Sequence, residues 1–179
     1  MARKLLAYEL LSLDGVAEHP DEFITEWDDA MGENLARVIG TQDAVLLGRQ
    51  TYDDWAAFWP ASAIEPFATF INGVDKFVVT SRAPEELWVK TTVVDGDIRE
   101  FVTTLKQRPG KDIGVHGSIA LTQSLLEQDL VDELRLVVAP ALQVNGRKLF
   151  DQVGSRRLIL TRAITSPSGC LLLDFQVGA

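Results

Sequence analysis

Hydrophobic and polar positions along the chain follow two periods in turn. Lys4 to Leu11 is a nearly unbroken apolar run that stops at Ser12-Leu13-Asp14-Gly15, which reads as a buried strand closed by a turn. From Trp27 the apolar positions Met31, Leu35 and Val38 recur every three or four residues and Gly40 follows, as at a helix and its C-terminal stop. Asp43 to Leu47 is a short strand closed by Gly48. Thr51 to Phe58 is a short helix that Pro60 keeps from extending, and Lys76 to Thr80 is a strand again.

The alternation continues to the end of the chain. Trp88 to Val94 is β-branched, and Ile98 to Lys106 sets Ile98, Phe101, Val102 and Leu105 on one helical face. Lys111 to Val115 is strand-like, Ser118 to Gln128 carries Leu121, Leu125 and Leu126 at helical spacing, and Val131 to Ala139 is strand. Leu158 to Ile164 and Cys170 to Val177 flank the turn-rich Thr165-Ser166-Pro167-Ser168-Gly169, as in an antiparallel hairpin. Parallel strands joined by helices, with a terminal hairpin, predict a three-layer α/β/α fold whose mixed sheet is mostly parallel. There is no internal repeat or Gly/Ser-rich linker, so residues 1–179 are expected to form one domain.

Composition narrows the function classes. With 26 acids against 17 Lys plus Arg the formal charge is −9, the wrong sign for a phosphate-backbone binder, so nucleic acid is not an expected partner. Cys170 is the only cysteine, which rules out an internal disulfide and fits a reducing, cytoplasmic setting. The basic N-terminus runs into Glu9 and Asp14 before a signal-peptide apolar region of about 7–15 residues is complete. No apolar run approaches the roughly 20 residues that a membrane span needs, so no membrane partner is expected. Two distant histidines and one late cysteine make no metal-ligand spacing.

Three strand ends share a chemistry. Gly48-Arg49-Gln50-Thr51, Thr80-Ser81-Arg82 and His116-Gly117-Ser118 each follow an apolar run, and each offers close backbone approach, hydroxyls or forked cations. In α/β sheets, ligands collect beyond the C-terminal strand ends, where helix N-termini present unpaired N–H groups. Three such ends converging suit a phosphorylated dinucleotide. Neither G-x-G-x-x-G nor G-x-x-x-x-G-K-[ST] is present, which disfavours an ordinary Rossmann domain and a P-loop enzyme, and without G-x-S-x-G there is no serine-hydrolase elbow.

These segments in order, with Leu130-Val131-Asp132-Glu133-Leu134, Pro140 and Gly146-Arg147-Lys148-Leu149-Phe150, resemble the dihydrofolate reductase superfamily over nearly the whole chain. Within it, the chain is most similar to the branch containing the C-terminal reductase domain of bifunctional riboflavin-biosynthesis proteins. The resemblance implies a dihydrofolate reductase-like fold and an NADPH-dependent reductase, dimeric as is usual in that branch, acting on a pteridine- or pyrimidine-like heterocycle. It places Gly48, Arg49 and Thr51 at the adenosine phosphates and Thr80, Ser81 and Arg82 at the ribose 2′-phosphate. His116, Gly117, Ser118 and Ile119 fall beside the pyrophosphate, and Ser12 and Asp14 in the loop over the nicotinamide. A dihydrofolate reductase proper, or a nucleotide- or pterin-binding module without catalysis, are the alternatives.

Departures from the family pattern concentrate at the proton donor. In place of a proline-tryptophan and a single helix acid stand Trp27-Asp28-Asp29, with Glu33 one turn on, so Asp14, Asp28 and Asp29 are the candidate acids and Trp27 the candidate wall of a heterocycle pocket. His116 occupies a position usually given to glycine, as does Val144. Plainer roles compete: Asp14 as a turn acid, Asp28 or Asp29 as helix caps, His116 as a hydrogen-bonded structural residue, and Trp55, Trp59 and Trp88 as core or interface filling. The charge is local as well. Residues 5 to 36 hold nine acids and no Lys or Arg, while the rest of the chain is balanced, so Arg49 and Arg82 are free to meet phosphates and the acidic segment favours a neutral or cationic heterocycle over a phosphoribosyl substrate.

Overall fold

Strand β1 (Leu5–Leu11) is the apolar run nearest the N-terminus, and it is buried on both faces. Such burial is the mark of a parallel strand covered by helices on either side. The structure, a computed structural model, describes residues 3–178, so Met1, Ala2 and Ala179 lie outside it. β1 pairs in parallel with β5 (Asp112–His116) on one side and β6 (Glu133–Val138) on the other. Beyond β5 come β2 (Gln42–Gly48), β3 (Asp75–Val79) and β4 (Thr91–Val94), all parallel. Beyond β6, β8 (Leu171–Val177) and β7 (Leu158–Thr165) run antiparallel, giving the sheet order β4-β3-β2-β5-β1-β6-β8-β7.

The helices divide between the two faces. On one face α1 (Asp29–Gly40), α2 (Arg49–Phe58) and α3 (Phe67–Gly73) set Met31, Val38, Tyr52, Phe67 and Ile71 against Leu6, Tyr8, Val45, Leu47 and Val78. On the other, α4 (Ile98–Gln107) and α5 (Ile119–Glu127) bury Val102, Leu105, Leu121 and Leu125 against Leu5, Ala7, Leu46, Ile113 and Val115. The expected three layers and terminal hairpin are present. Among the described residues no helix is long and apolar enough to cross a membrane.

Local sequence explains most boundaries. Asp28 caps α1 by accepting from the Met31 N–H at 3.0 Å, and Asp97 caps α4 by accepting from Arg99 and Glu100. α2 starts at Arg49, two residues earlier than its apolar spacing predicts, because the chain turns directly off Gly48. Helix α3 has no counterpart among the expected elements. Its seven residues between Pro66 and Gly73 are too short for a visible period, and it is held by aromatic packing around Phe67. The strand expected from Trp88 begins only at Thr91. The Trp88 indole donates instead to Asn72 Oδ1 at 3.0 Å, and its ring lies 4.5 Å from the ammonium of the buried Lys76.

Candidate active site

A split in the sheet creates the site. Pairing between β1 and β5 ends at Tyr8 and His116, whereas β1 continues beside β6 as far as Leu11 and Val138. After β5 the chain leaves through α5 toward β6, and after β1 through α1 toward β2, on opposite faces and in opposite directions. A crevice at the C-terminal strand ends follows from that topology. Here it is a cleft of about 840 Å³. Tyr8, Glu9, His116 and Gly117 lie at the split, α2 contributes Thr51, Asp54 and Trp55, and Trp27 borders the cleft just ahead of α1. A second hollow, of about 870 Å³, lies between α2 and residues 84–89 and is lined by no residue of β1 or β5.

The three strand ends singled out in the sequence meet beside this cleft. The Gly48 N–H donates to Ser118 Oγ at 3.1 Å, and Thr51 Oγ1 donates to the Gly117 carbonyl at 3.0 Å. The Arg49 guanidinium donates to the Arg82 carbonyl, and Thr80 Oγ1 donates to that same carbonyl at 2.9 Å while accepting from the Arg82 N–H. Much of the expected phosphate chemistry is therefore spent inside the protein, with Arg49 also gripping Asp53 at 2.8 Å. What stays open is the first-turn N–H groups of α2 and α5, which start side by side, and the exposed Ser81 and Arg82. Gly117 sits at φ +60° with the Trp55 ring 3.2 Å from where a Cβ would stand, so a side chain there would be both strained and crowded. Ile119 opens α5 and lines the cleft.

His116 is placed differently from its expected phosphate-side role. Its side chain turns into the protein, where Nε2 lies 2.8 Å from Gln42 Oε1. The Gln42 amide donates to the Val38 carbonyl at 3.1 Å, which leaves Oε1 to accept and makes Nε2 the protonated nitrogen. Burial lowers the His116 pKa to about 3, so the ring is neutral at physiological pH. Gly114 makes the contact possible: a Cβ there would stand 2.0 Å from Gln42 Oε1 and 2.7 Å from Nε2. The buried Nδ1 has no hydrogen-bond partner among the described residues, and His116 is among the residues that line the cleft.

Two of the three candidate acids are occupied elsewhere too. Asp14 accepts from Ser12 Oγ at 2.7 Å and from the Gln143 and Val144 N–H groups at 3.0 and 2.9 Å, and these bonds lower its pKa to about 2. Ser12 is buried and also accepts from the Val16 N–H, so the pair ties the loop after β1 to residues 143–144. Val144 is held there at φ +66°, a left-handed conformation that favours glycine. Although burial pushes the Asp28 carboxyl upward, bonds from Ser168 and Met31 outweigh it and hold the group below the usual carboxylate range. Asp29 is an exposed first-turn residue of α1. None of the three lines the cleft, and Trp27 does.

Two groups of lining residues lie outside the candidates that the sequence pattern offers. Glu9 is buried within β1 and accepts from Thr122 Oγ1 at 2.9 Å and from the Ser118 N–H; burial raises its pKa to about 8. Its signal in the sequence is a lone acid inside the apolar run Leu5 to Leu11. Trp55 and Trp59, expected in the core or an interface, wall the cleft with Phe67. Thr51, Trp55 and Trp59 fall four residues apart, the spacing of one helix face, which is their signal in the sequence. His19, in the polar loop after β1, also borders the cleft.

Residues 3–172 match the RibD C-terminal domain. The chain belongs to that family. YyaP of Bacillus subtilis (strain 168), itself an uncharacterized protein, is 28% identical over 174 residues, covering 92% of this chain and 90% of YyaP. Among solved structures, a putative riboflavin biosynthesis protein from Shewanella sp. PV-4 superimposes with a TM-score of 0.80 at 16% identity, with both chains fully covered. The diaminohydroxyphosphoribosylaminopyrimidine deaminase/5-amino-6-(5-phosphoribosylamino)uracil reductase of Thermotoga maritima gives 0.72 at 15% identity, over 99% of this chain and 57% of that one. Dihydrofolate reductase from Enterococcus faecalis, complexed with NADP(H), gives 0.60 at 13% identity, over 99% and 97%. The fold of this RibD C-terminal domain is thus dihydrofolate reductase-like.

Proposed function

We propose that the chain is an NADPH-dependent reductase that passes hydride to a flat nitrogen heterocycle bound in the cleft at the β1–β5 split. The observation that carries this reading is the convergence of three strand ends beside that cleft, with the open first turns of α2 and α5 next to each other. These residues fit a dinucleotide. Backbone N–H groups at two helix N-termini suit a pyrophosphate, the glycine at 117 leaves the space that a Cβ would fill, and Arg82 with Ser81 suits a 2′-phosphate. When bound, the cofactor supplies a hydride.

The protein's own contribution is position and proton supply. Trp55 and Trp59 restrict a ring to the plane of the cleft, and the β1–β5 split sets the depth to which it enters. Glu9 lines the cleft and is held protonated at neutral pH, which makes it the acid whose proton is available as hydride arrives. The occupation of Asp14 and Asp28 by backbone donors favours a second reading, a module that binds NADP(H) without turnover. NADPH oxidation with a panel of pterins and aminopyrimidines separates the two. Turnover of any panel member supports the reductase, and NADPH binding with no turnover across the panel supports the binding module.

A homodimer is part of the same proposal. The edge strand β7 exposes Ile159 (54%), Leu160 (53%) and Ile164 (42%), an apolar rim that a second copy would cover. The expected setting is the cytoplasm.

A further inference from the structure

We infer that the substrate is a neutral or cationic amino-heterocycle without a phosphate, and that the Asp54 carboxylate accepts hydrogen bonds from its ring N–H or amino groups. This inference rests on the reductase reading and names the substrate class of the same cleft. The wall is aromatic and rigid: Trp55 and Trp59 meet edge to face with centroids 6.0 Å apart, and Phe67 meets them at 5.4 and 4.8 Å. Flat rings and cations are both attracted to such surfaces.

Charge then selects among flat ligands. Among the described residues four carboxyl groups line the cleft; three are already engaged, and one of those, Glu9, is protonated and adds no charge. Glu9 accepts from Thr122 and Glu18 pairs with Arg147 at 3.2 Å, while Glu65 accepts from the Thr69 hydroxyl at 2.7 Å and from its N–H. Asp54 differs: it is exposed, and among the described residues its one side-chain partner is the Gln50 amide at 3.2 Å. Among the described residues Arg147 is the sole Lys or Arg lining the cleft, and Glu18 offsets it. His19 is the other group there able to carry positive charge, since His116 is neutral and bonded to Gln42. A phosphoribosyl group, such as the one named for the Thermotoga maritima reductase, would meet more negative than positive charge. A ligand with N–H donors meets an acceptor with lone pairs to spare, and a site built that way discriminates strongly against ligands lacking the donor.

Intrinsic tryptophan fluorescence tests this without any cofactor, because Trp27, Trp55 and Trp59 line the cleft. The full chain is titrated with 2,4-diaminopyrimidine, uracil and uridine 5′-monophosphate. The diaminopyrimidine is expected to bind at least tenfold tighter than the nucleotide. Asp54→Asn is expected to weaken it at least tenfold while leaving the nucleotide unchanged or tighter, and Glu100→Gln, an exposed charge change on α4, is expected to alter nothing. Tighter binding of uridine 5′-monophosphate, an Asp54→Asn variant that keeps full diaminopyrimidine affinity, or no quenching by any probe would each overturn the assignment. Titration of the same samples with NADPH reads the reductase proposal separately: a chain that prefers the diaminopyrimidine but binds no NADPH sinks the reductase reading and leaves the cleft's preference standing.

Discussion

Replacing Glu9 by glutamine isolates the cost of a carboxyl buried in the central strand. In the folded protein the group is screened from water by β1 and α5 and receives donors from Thr122 and Ser118, which compensate only part of the lost hydration. Its pKa is therefore raised from the ordinary 4.5 to about 8. Below pH 4.5 both folded and unfolded chains carry the proton and the group has no pH-dependent effect. Between those values the unfolded chain ionises while the folded one retains its proton, so stability falls as pH rises, and above pH 8 the loss is complete. At ~1.4 kcal/mol per pKa unit, the full loss is roughly 5 kcal/mol as an upper bound.

Glutamine keeps the shape and the acceptor oxygen but cannot ionise. Urea unfolding of wild type and Glu9→Gln at pH 5, 7 and 9 is the assay. The midpoints should be close at pH 5, and the variant should be more stable by a few kcal/mol at pH 9. Taking the difference between the two proteins at each pH cancels the other titrations that cross this range. These include His116, whose lowered pKa makes stability fall as pH drops from 6.5 toward about 3, and Lys76, whose lowered pKa makes stability rise between about 8 and 10.5. A Glu9→Gln stability difference that stays constant from pH 5 to pH 9 would refute the account of Glu9 as a buried, protonated acid.

Arg82→Ala should weaken NADPH at least tenfold more than NADH in paired equilibrium titrations, because it removes a partner of the 2′-phosphate alone; equal weakening would assign Arg82 another role. Gly114→Ala places a Cβ 2.0 Å from Gln42 Oε1 and should cost about 2–4 kcal/mol in chemical unfolding, the scale of overpacking plus a broken buried bond, whereas Ala at the exposed Gly40 should cost nothing. Lysine at both Ile159 and Leu160 should give the 19.8 kDa monomer by light scattering while wild type runs as a dimer. A wild-type monomer would remove the dimer proposal.

The sequence made the scaffold legible because its helices and strands carry strong, distinct periods, and because each phosphate-suited segment closes a strand. Helix α3 was invisible for the opposite reason. Seven residues give less than two full periods, and its order comes from Phe67 packing against Trp55 of α2 and against His116 of β5, which lies far along the chain. The acids show a deeper ambiguity. A carboxylate beside a turn or a helix start serves local backbone donors as readily as a substrate, and Asp14 and Asp28 do the former. Only the position of residues 143–144 and 168, more than a hundred residues later, decides between the two uses. Glu9 advertised itself better, since an acid in an apolar strand has few reasons to be there. The His116–Gln42 bond depends on the empty space over Gly114, which no local pattern discloses.

Equilibrium titration with NADPH and NADH, followed by energy transfer from the cleft tryptophans to the nicotinamide, tests the central claim most directly. Saturable transfer with NADPH at micromolar concentrations, and weaker binding of NADH, is the predicted result. No transfer and no binding of NADPH at millimolar concentrations would contradict it.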